Sequence, residues 1–128
     1  MGQQQLLLIV LGVIIVGIAV VVGINVFTAS SSSSNRDAVI SDLTNLASLA
    51  QQYYRKPIAL AGGENSFTNW SIPTQLATTG NGGYTATVAA QSVTLVGTGT
   101  QNGNDGTNPV KVTMVIGPNA ITSTTVDN

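Results

Sequence analysis

From Leu6 to Ile24 the chain runs through nineteen consecutive Leu, Ile, Val, Ala and Gly residues, and no charged side chain precedes Arg36. As a helix rising ~1.5 Å per residue, this run is ~28 Å long, close to the ~30 Å hydrocarbon thickness of a bilayer. Fifteen of its residues are Leu, Ile or Val. At roughly 0.3 to 0.6 kcal/mol each near a helix centre, they favour insertion into lipid by on the order of 4 to 9 kcal/mol. Eleven are β-branched, which weakens a helix in water. In hydrocarbon, however, every amide must be paired within the segment, and a lone segment achieves that only as a helix. The run therefore predicts a helix over Gln3 to Phe27.

A cleavable signal peptide is the alternative reading, but it calls for a positively charged start, a shorter apolar stretch and a small-residue cleavage site. Met1-Gly2-Gln3-Gln4-Gln5 contains no Lys or Arg, so the segment is expected to persist in the mature chain. Burial inside a soluble core is disfavoured as well, because 128 residues carrying so few charges could hardly enclose it.

The remaining composition narrows the chemistry. The chain has no His and no Cys, which removes Cys or His zinc sites and thiol- or imidazole-based nucleophilic mechanisms. Its only carboxylates are Asp37, Asp42, Glu64, Asp105 and Asp127. The net charge of -1 comes with no basic patch, so nucleic acid is not an expected partner. No paired carboxylates, nucleophile with a base, or phosphate loop can be picked out, and neither enzyme activity nor a cofactor is expected.

Four regions follow one another. Residues 1–29 form the apolar helix, a membrane anchor or filament core, and residues 30–35 a serine-rich joint. Residues 36–57 form an amphipathic helix, and residues 58–128 a loop plus a β-sheet head. Ser34 followed by Asp37 resembles a capping box with the shorter acid, which would start a new helix. From Arg36 to Tyr54, apolar residues recur at Val39, Leu43, Leu46, Ala50 and Tyr53 while Asp42, Asn45, Gln51 and Gln52 point elsewhere. This spacing predicts one apolar helical face laid across a sheet, ending at Arg55, Lys56 and Pro57.

Ile58 to Gly83 reads as a long loop pinned by Phe67, Trp70 and Ile72, with Gly and Pro turn signals. Asn69-Trp70-Ser71 matches the glycosylation acceptor pattern, in a chain whose wealth of Asn, Ser and Thr makes chance matches common. The period then becomes twofold, predicting strands at Tyr84 to Ala89, Ser92 to Thr100, Val110 to Gly117 and Ala120 to Val126 joined as an antiparallel meander. Gly97 and Gly99 within the second strand suggest a bulge or a close backbone approach. Asn102-Gly103-Asn104-Asp105-Gly106 invites a calcium reading but lacks the ligand spacing and the closing glutamate of an EF-hand loop. It reads as an exposed turn, and no metal site is expected.

The fold class is thus α+β: a long N-terminal helix, apolar then amphipathic, packed on a small antiparallel sheet of about four strands. That order of parts covers the whole chain and resembles type IV pilins and their relatives, the pseudopilins and archaeal pilins. The resemblance implies a subunit held in the inner or cytoplasmic membrane by its apolar helix until a pilus assembly machinery extracts it. It then polymerises with identical copies into a cell-surface filament whose core is a bundle of those helices. The residues expected at that core are Met1, Gln5, Gly12, Gly17, Gly23 and Asn25. Gly12 and Gly23 fall ~20° apart on the helical wheel, where close packing is easiest.

Two departures from the family pattern stand out. Its members usually start with an N-methylated residue and carry Glu at the fifth position, where this chain has Gln5. A glutamine can accept a hydrogen bond from a neighbour's ammonium without cancelling its charge. Many bacterial pilins also close their C-terminal loop with a disulfide, which a chain without Cys cannot form, so neighbouring subunits are expected to contribute stability. The family's helix often unwinds on assembly around a Gly and Pro pair. Here no Pro precedes Pro57, and extension is expected near Gly17 to Gly23 or at the serine run. A single-span membrane protein or minor pseudopilin presenting a β-rich interaction module is the other functional reading.

Overall fold

A computed structural model describes residues 2–128, and the candidate core residue Met1 lies outside them. The chain divides into two compact units, Met1–Ser31 and Ser32–Asn128, with the boundary inside the serine run. The local structure there differs from expectation. Helix α1 spans Gly2–Arg55, passing through the serines, and Ser34 with Asp37 caps nothing. The physical reason is the absence of a breaker: from Ile24 to Lys56 there is neither Gly nor Pro. A helical serine costs only about 0.5 kcal/mol relative to alanine. The two segments expected to extend, Gly17 to Gly23 and the serine run, are both helical in this single chain.

In the second unit, the α1 residues from Ser32 onward bury one stripe comprising Asn35, Val39, Leu43, Leu46, Ala47 and Ala50. The stripe packs on a five-stranded antiparallel sheet of order β1-β2-β3-β4-β5. Its strands are β1 Thr78–Thr79, β2 Gly82–Val88, β3 Val93–Asn102, β4 Pro109–Ile116 and β5 Ile121–Val126. The four longer strands match the predicted ones to within a few residues. The fifth, β1, is a two-residue edge inside the stretch read as loop, too short to show any alternation. Along β3 and β4 the pleat delivers alternate side chains to the core, with Val93, Leu95, Val110, Val112, Met114 and Ile116 each 0 or 1% exposed.

The segment after Arg55 is also more ordered than a plain loop. It contains a 3-10 turn at Ile58–Leu60 and a short helix α2 at Thr74–Ala77. Phe67 and Trp70 are buried and Ile72 packs against the same core, as the apolar spacing predicts. Its backbone folds back over the end of α1. Gly63 N–H donates to the Tyr53 carbonyl (2.8 Å) and Asn65 N–H to that of Tyr54 (2.7 Å), giving partners to carbonyls that a helix terminus otherwise leaves unpaired.

Candidate assembly surface

The first unit presents a continuous exposed apolar surface. From Leu6 to Val26 every Leu, Ile and Val is 53–68% exposed, and Phe27 is 73% exposed. Such a helix, apolar all round, is stable only with another apolar phase against it. Gln5, Gly12, Gly17, Gly23 and Asn25 all lie on this exposed helical surface. A Cβ added at any of the three glycines would meet open space. By length and composition α1 is also able to cross a membrane.

The helix-sheet packing residues behave differently. Val39, Leu43, Leu46 and Ala50 are fully buried, and Tyr53 is partly buried against the same core. Tyr53 Oη donates to the Thr68 carbonyl (2.7 Å) and Tyr54 Oη to Gln91 Oε1 (2.9 Å), so each ring packs while its hydroxyl ties down a connecting segment.

Two polar anchors on α1 were not singled out by the periodicity. Asn35 is the one buried polar residue among those described, and its amide serves the place where the β3–β4 register shifts, between Thr98 and Asn102. There Asn35 Oδ1 accepts the N–H groups of Thr100 (3.0 Å) and Gln101 (3.2 Å), while its Nδ2 donates to the Asn81 carbonyl (2.9 Å). Such a shift leaves ladder donors unpaired, and this side chain satisfies them. Its position was readable: Asn35 stands four residues before Val39, on the apolar stripe itself.

The second anchor, Asp42, corrects the expectation that it points away from the packed face. It is partly buried, and its Oδ2 accepts from Thr79 Oγ1 (3.0 Å), Asn81 Nδ2 (3.1 Å) and Tyr84 Oη. One carboxylate thereby fixes the β1–β2 hairpin to α1. Burial pushes its pKa up, but the bonds from Tyr84, Asn81 and Thr79 together outweigh that and leave it below the usual value. For Tyr84, burial first and then the bond to Asp42 push the phenol up to about 12.

The glycines of β3 show why the helix can lie so near the sheet. A Cβ at Gly97 would stand 2.6 Å from Val39 Cγ1, and one at Gly99 would overlap Asn35 Oδ1. This is the close approach expected of the strand, and its register with β4 also shifts between Thr98 and Asn102. Asn69 is exposed in a left-handed turn conformation, φ 70°. The cleft beside it is lined by Leu49, Gln52, Tyr53, Lys56 and Trp70 among others, with no carboxylate. Among the described residues, no group of three His, Cys, Asp or Glu side chains converges as a metal site would require. No family model matches this sequence, no curated protein matches it, and no solved structure matches it.

Proposed function

We propose that this chain is the structural subunit of an extracellular filament of the type IV pilus kind, polymerising through its N-terminal helix. The observation that carries the reading is the uncovered apolar surface from Leu6 to Phe27, set in the same chain as a sheet unit whose own core is closed. Lipid covers that surface before assembly, and the equivalent helices of other copies cover it afterwards, delivered by a pilus assembly machinery. The sparse charge of the head, a net -1 over the whole chain, favours association between copies over dispersal. A single-span membrane protein presenting the sheet as an interaction module shares the first half of this account and lacks the second.

Shearing cells and measuring the chain in the released fibres separates the two, with mass spectrometry of the first peptide to identify its mature start. Abundant chain in the sheared material is expected. Recovery only from detergent-solubilised membrane would overturn the filament reading and leave the single-span one.

A further inference from the structure

The sheet ends in two edges of unlike length that fit one another. Strand β5 pairs only with β4, and all six of its residues are exposed. Even the side chains on its inner side are open to solvent, with Ile121 39% and Val126 44% exposed, so α1 does not cover this margin. At the opposite margin β1 pairs only with Gly82 and Gly83 of β2. Among the described residues, Tyr84 to Val88 make no backbone hydrogen bond outside their ladder with β3. The first edge offers six residues, Ile121–Val126, and the second five, Tyr84 to Val88.

Natural sheets guard such edges with charges, prolines or covering segments, because unpaired N–H and C=O groups template further pairing. Neither Ile-Thr-Ser-Thr-Thr-Val nor Tyr-Thr-Ala-Thr-Val contains a charge or a proline. Adjacent strands alternate in direction across the order β1-β2-β3-β4-β5, so β5 runs opposite to β2. A second copy in the same orientation therefore presents its β2 antiparallel to β5. The incoming strand would lie in line with the two-residue β1 and run in its direction.

We infer that β5 of one copy pairs with the free stretch of β2 in the next, so that the sheets continue from subunit to subunit. The inference rests on the filament reading and deepens it by naming a contact between heads. Side-chain alternation sets the register. Val126 lies opposite buried Val112, and Thr124 opposite buried Met114. On β2, Tyr84 and Ala86 occupy the same inner side. Matching inner to inner places Val126 against Tyr84, Thr125 against Thr85, Thr124 against Ala86 and Ser123 against Thr87. The two edges are different surfaces, so the contact is head-to-tail, the kind that builds an open filament wherever the rotation between copies does not close a ring.

The absence of native cysteine makes the test direct. Thr85 and Thr125 are exposed and, in this register, face each other between copies within reach of a disulfide. Full-length chain carrying both Thr85→Cys and Thr125→Cys, oxidised mildly on cells and in sheared fibres, is expected to give a ladder of dimers, trimers and higher species on a non-reducing gel. Each single variant should remain monomeric, and adding Thr124→Pro to the double variant should abolish the ladder. Fibres whose double variant stays monomeric would overturn the edge pairing and leave the filament reading standing. Dimers from Thr125→Cys alone would overturn it in favour of β5 pairing with itself. A ladder in membranes of cells that shed no fibres would uphold the pairing and sink the filament reading, and neither ladder nor fibres would sink both.

Discussion

The two halves of α1 share a helical backbone and differ in what their side chains touch. Before Ser32 the Leu, Ile and Val side chains are all more than half exposed, whereas after it Val39, Leu43, Leu46 and Ala50 are closed off at 0 or 1%. The sequence marks the difference by pattern rather than by hydrophobicity alone. Where apolar residues fill one stripe, the chain itself supplies the partner surface; where they fill every face, no single surface could cover them. Trp70, the only tryptophan, is buried in the second unit. Its fluorescence therefore reports unfolding of that unit alone, which allows the comparison to be tested half against half.

The largest expected contrast is between equivalent truncations. Leu43→Ala removes a fully buried side chain and should cost about 2 to 5 kcal/mol, seen as a fall in the Trp70 transition of the full chain in detergent. Leu11→Ala, at a position 53% exposed, should leave that transition unmoved. Equal shifts from both would mean that the halves are not distinct. Ile15→Asp sharpens the comparison from the other side. An aspartate near the centre of the apolar run costs roughly 2.5 to 3.5 kcal/mol of insertion free energy. It should lower the equilibrium constant for membrane insertion by about a hundredfold, read by partitioning into vesicles, while the Trp70 transition holds.

Next in size are the polar anchors, which let a largely apolar helix face seat on one register of the sheet. Asn35→Ala strands the N–H groups of Thr100 and Gln101 and should cost about 1 to 3 kcal/mol in the Trp70 transition. Asp42 makes the fold sensitive to acid. Its folded pKa lies below its ordinary value, so the stability it contributes is present above about pH 4 and is lost as pH falls through the folded value. Tyr84 acts at the other end. With its folded pKa raised from 10.0 to about 12, its contribution is complete below pH 10 and is lost as pH rises to about 12. Trp70 melts across pH should show both slopes, with Asp42→Asn flattening the acid one. An acid slope unchanged in that variant would assign it to another group.

Much of this arrangement was legible beforehand because it follows from periodicity. The stripe Val39, Leu43, Leu46, Ala50 lies against the alternation of β3 and β4, and each pattern specifies a face without reference to the other. The parts that were not legible are pairwise. Gly97 and Gly99 matter because Val39 and Asn35 stand opposite them, which spacing along one strand does not reveal. Asp42 looked like a solvent-facing residue because its three donors, Thr79, Asn81 and Tyr84, come from a hairpin 37 to 42 residues away. The serine run was divided by composition where the backbone stays helical, since propensity is too weak to end a helix without a breaker. For the first unit the difficulty is of another kind. Its residues identify an apolar surface, but under the proposed filament reading the geometry that would place Gln5 or Gly12 in a site belongs to an assembly of several chains.

The smallest expected effect concerns Asp105, whose turn resembles an ion-binding loop in composition only. Its carboxylate accepts the N–H groups of Thr107 (2.9 Å) and Asn108 (2.9 Å), then Asn108 Nδ2 (2.7 Å) and Asn128 Nδ2 (3.2 Å). The Thr107 and Asn108 backbone bonds come first in holding its pKa well below the usual carboxylate range. Asn128 is seated there too, its Nδ2 donating to the carbonyls of Asn108 (3.0 Å) and Pro109 (3.1 Å). The oxygens a cation would use are thus occupied by N–H donors from the same turn and from Asn128. Asp105→Ala should speed amide exchange at Thr107, Asn108 and the segment after β5, leaving the Trp70 transition in place, and calcium should protect none of these amides in the native chain. Protection by calcium would make the turn a site after all. A drop in the Trp70 transition as large as that of Leu43→Ala would show that this exposed turn helps hold the core, contrary to a core built by the helix stripe and the sheet.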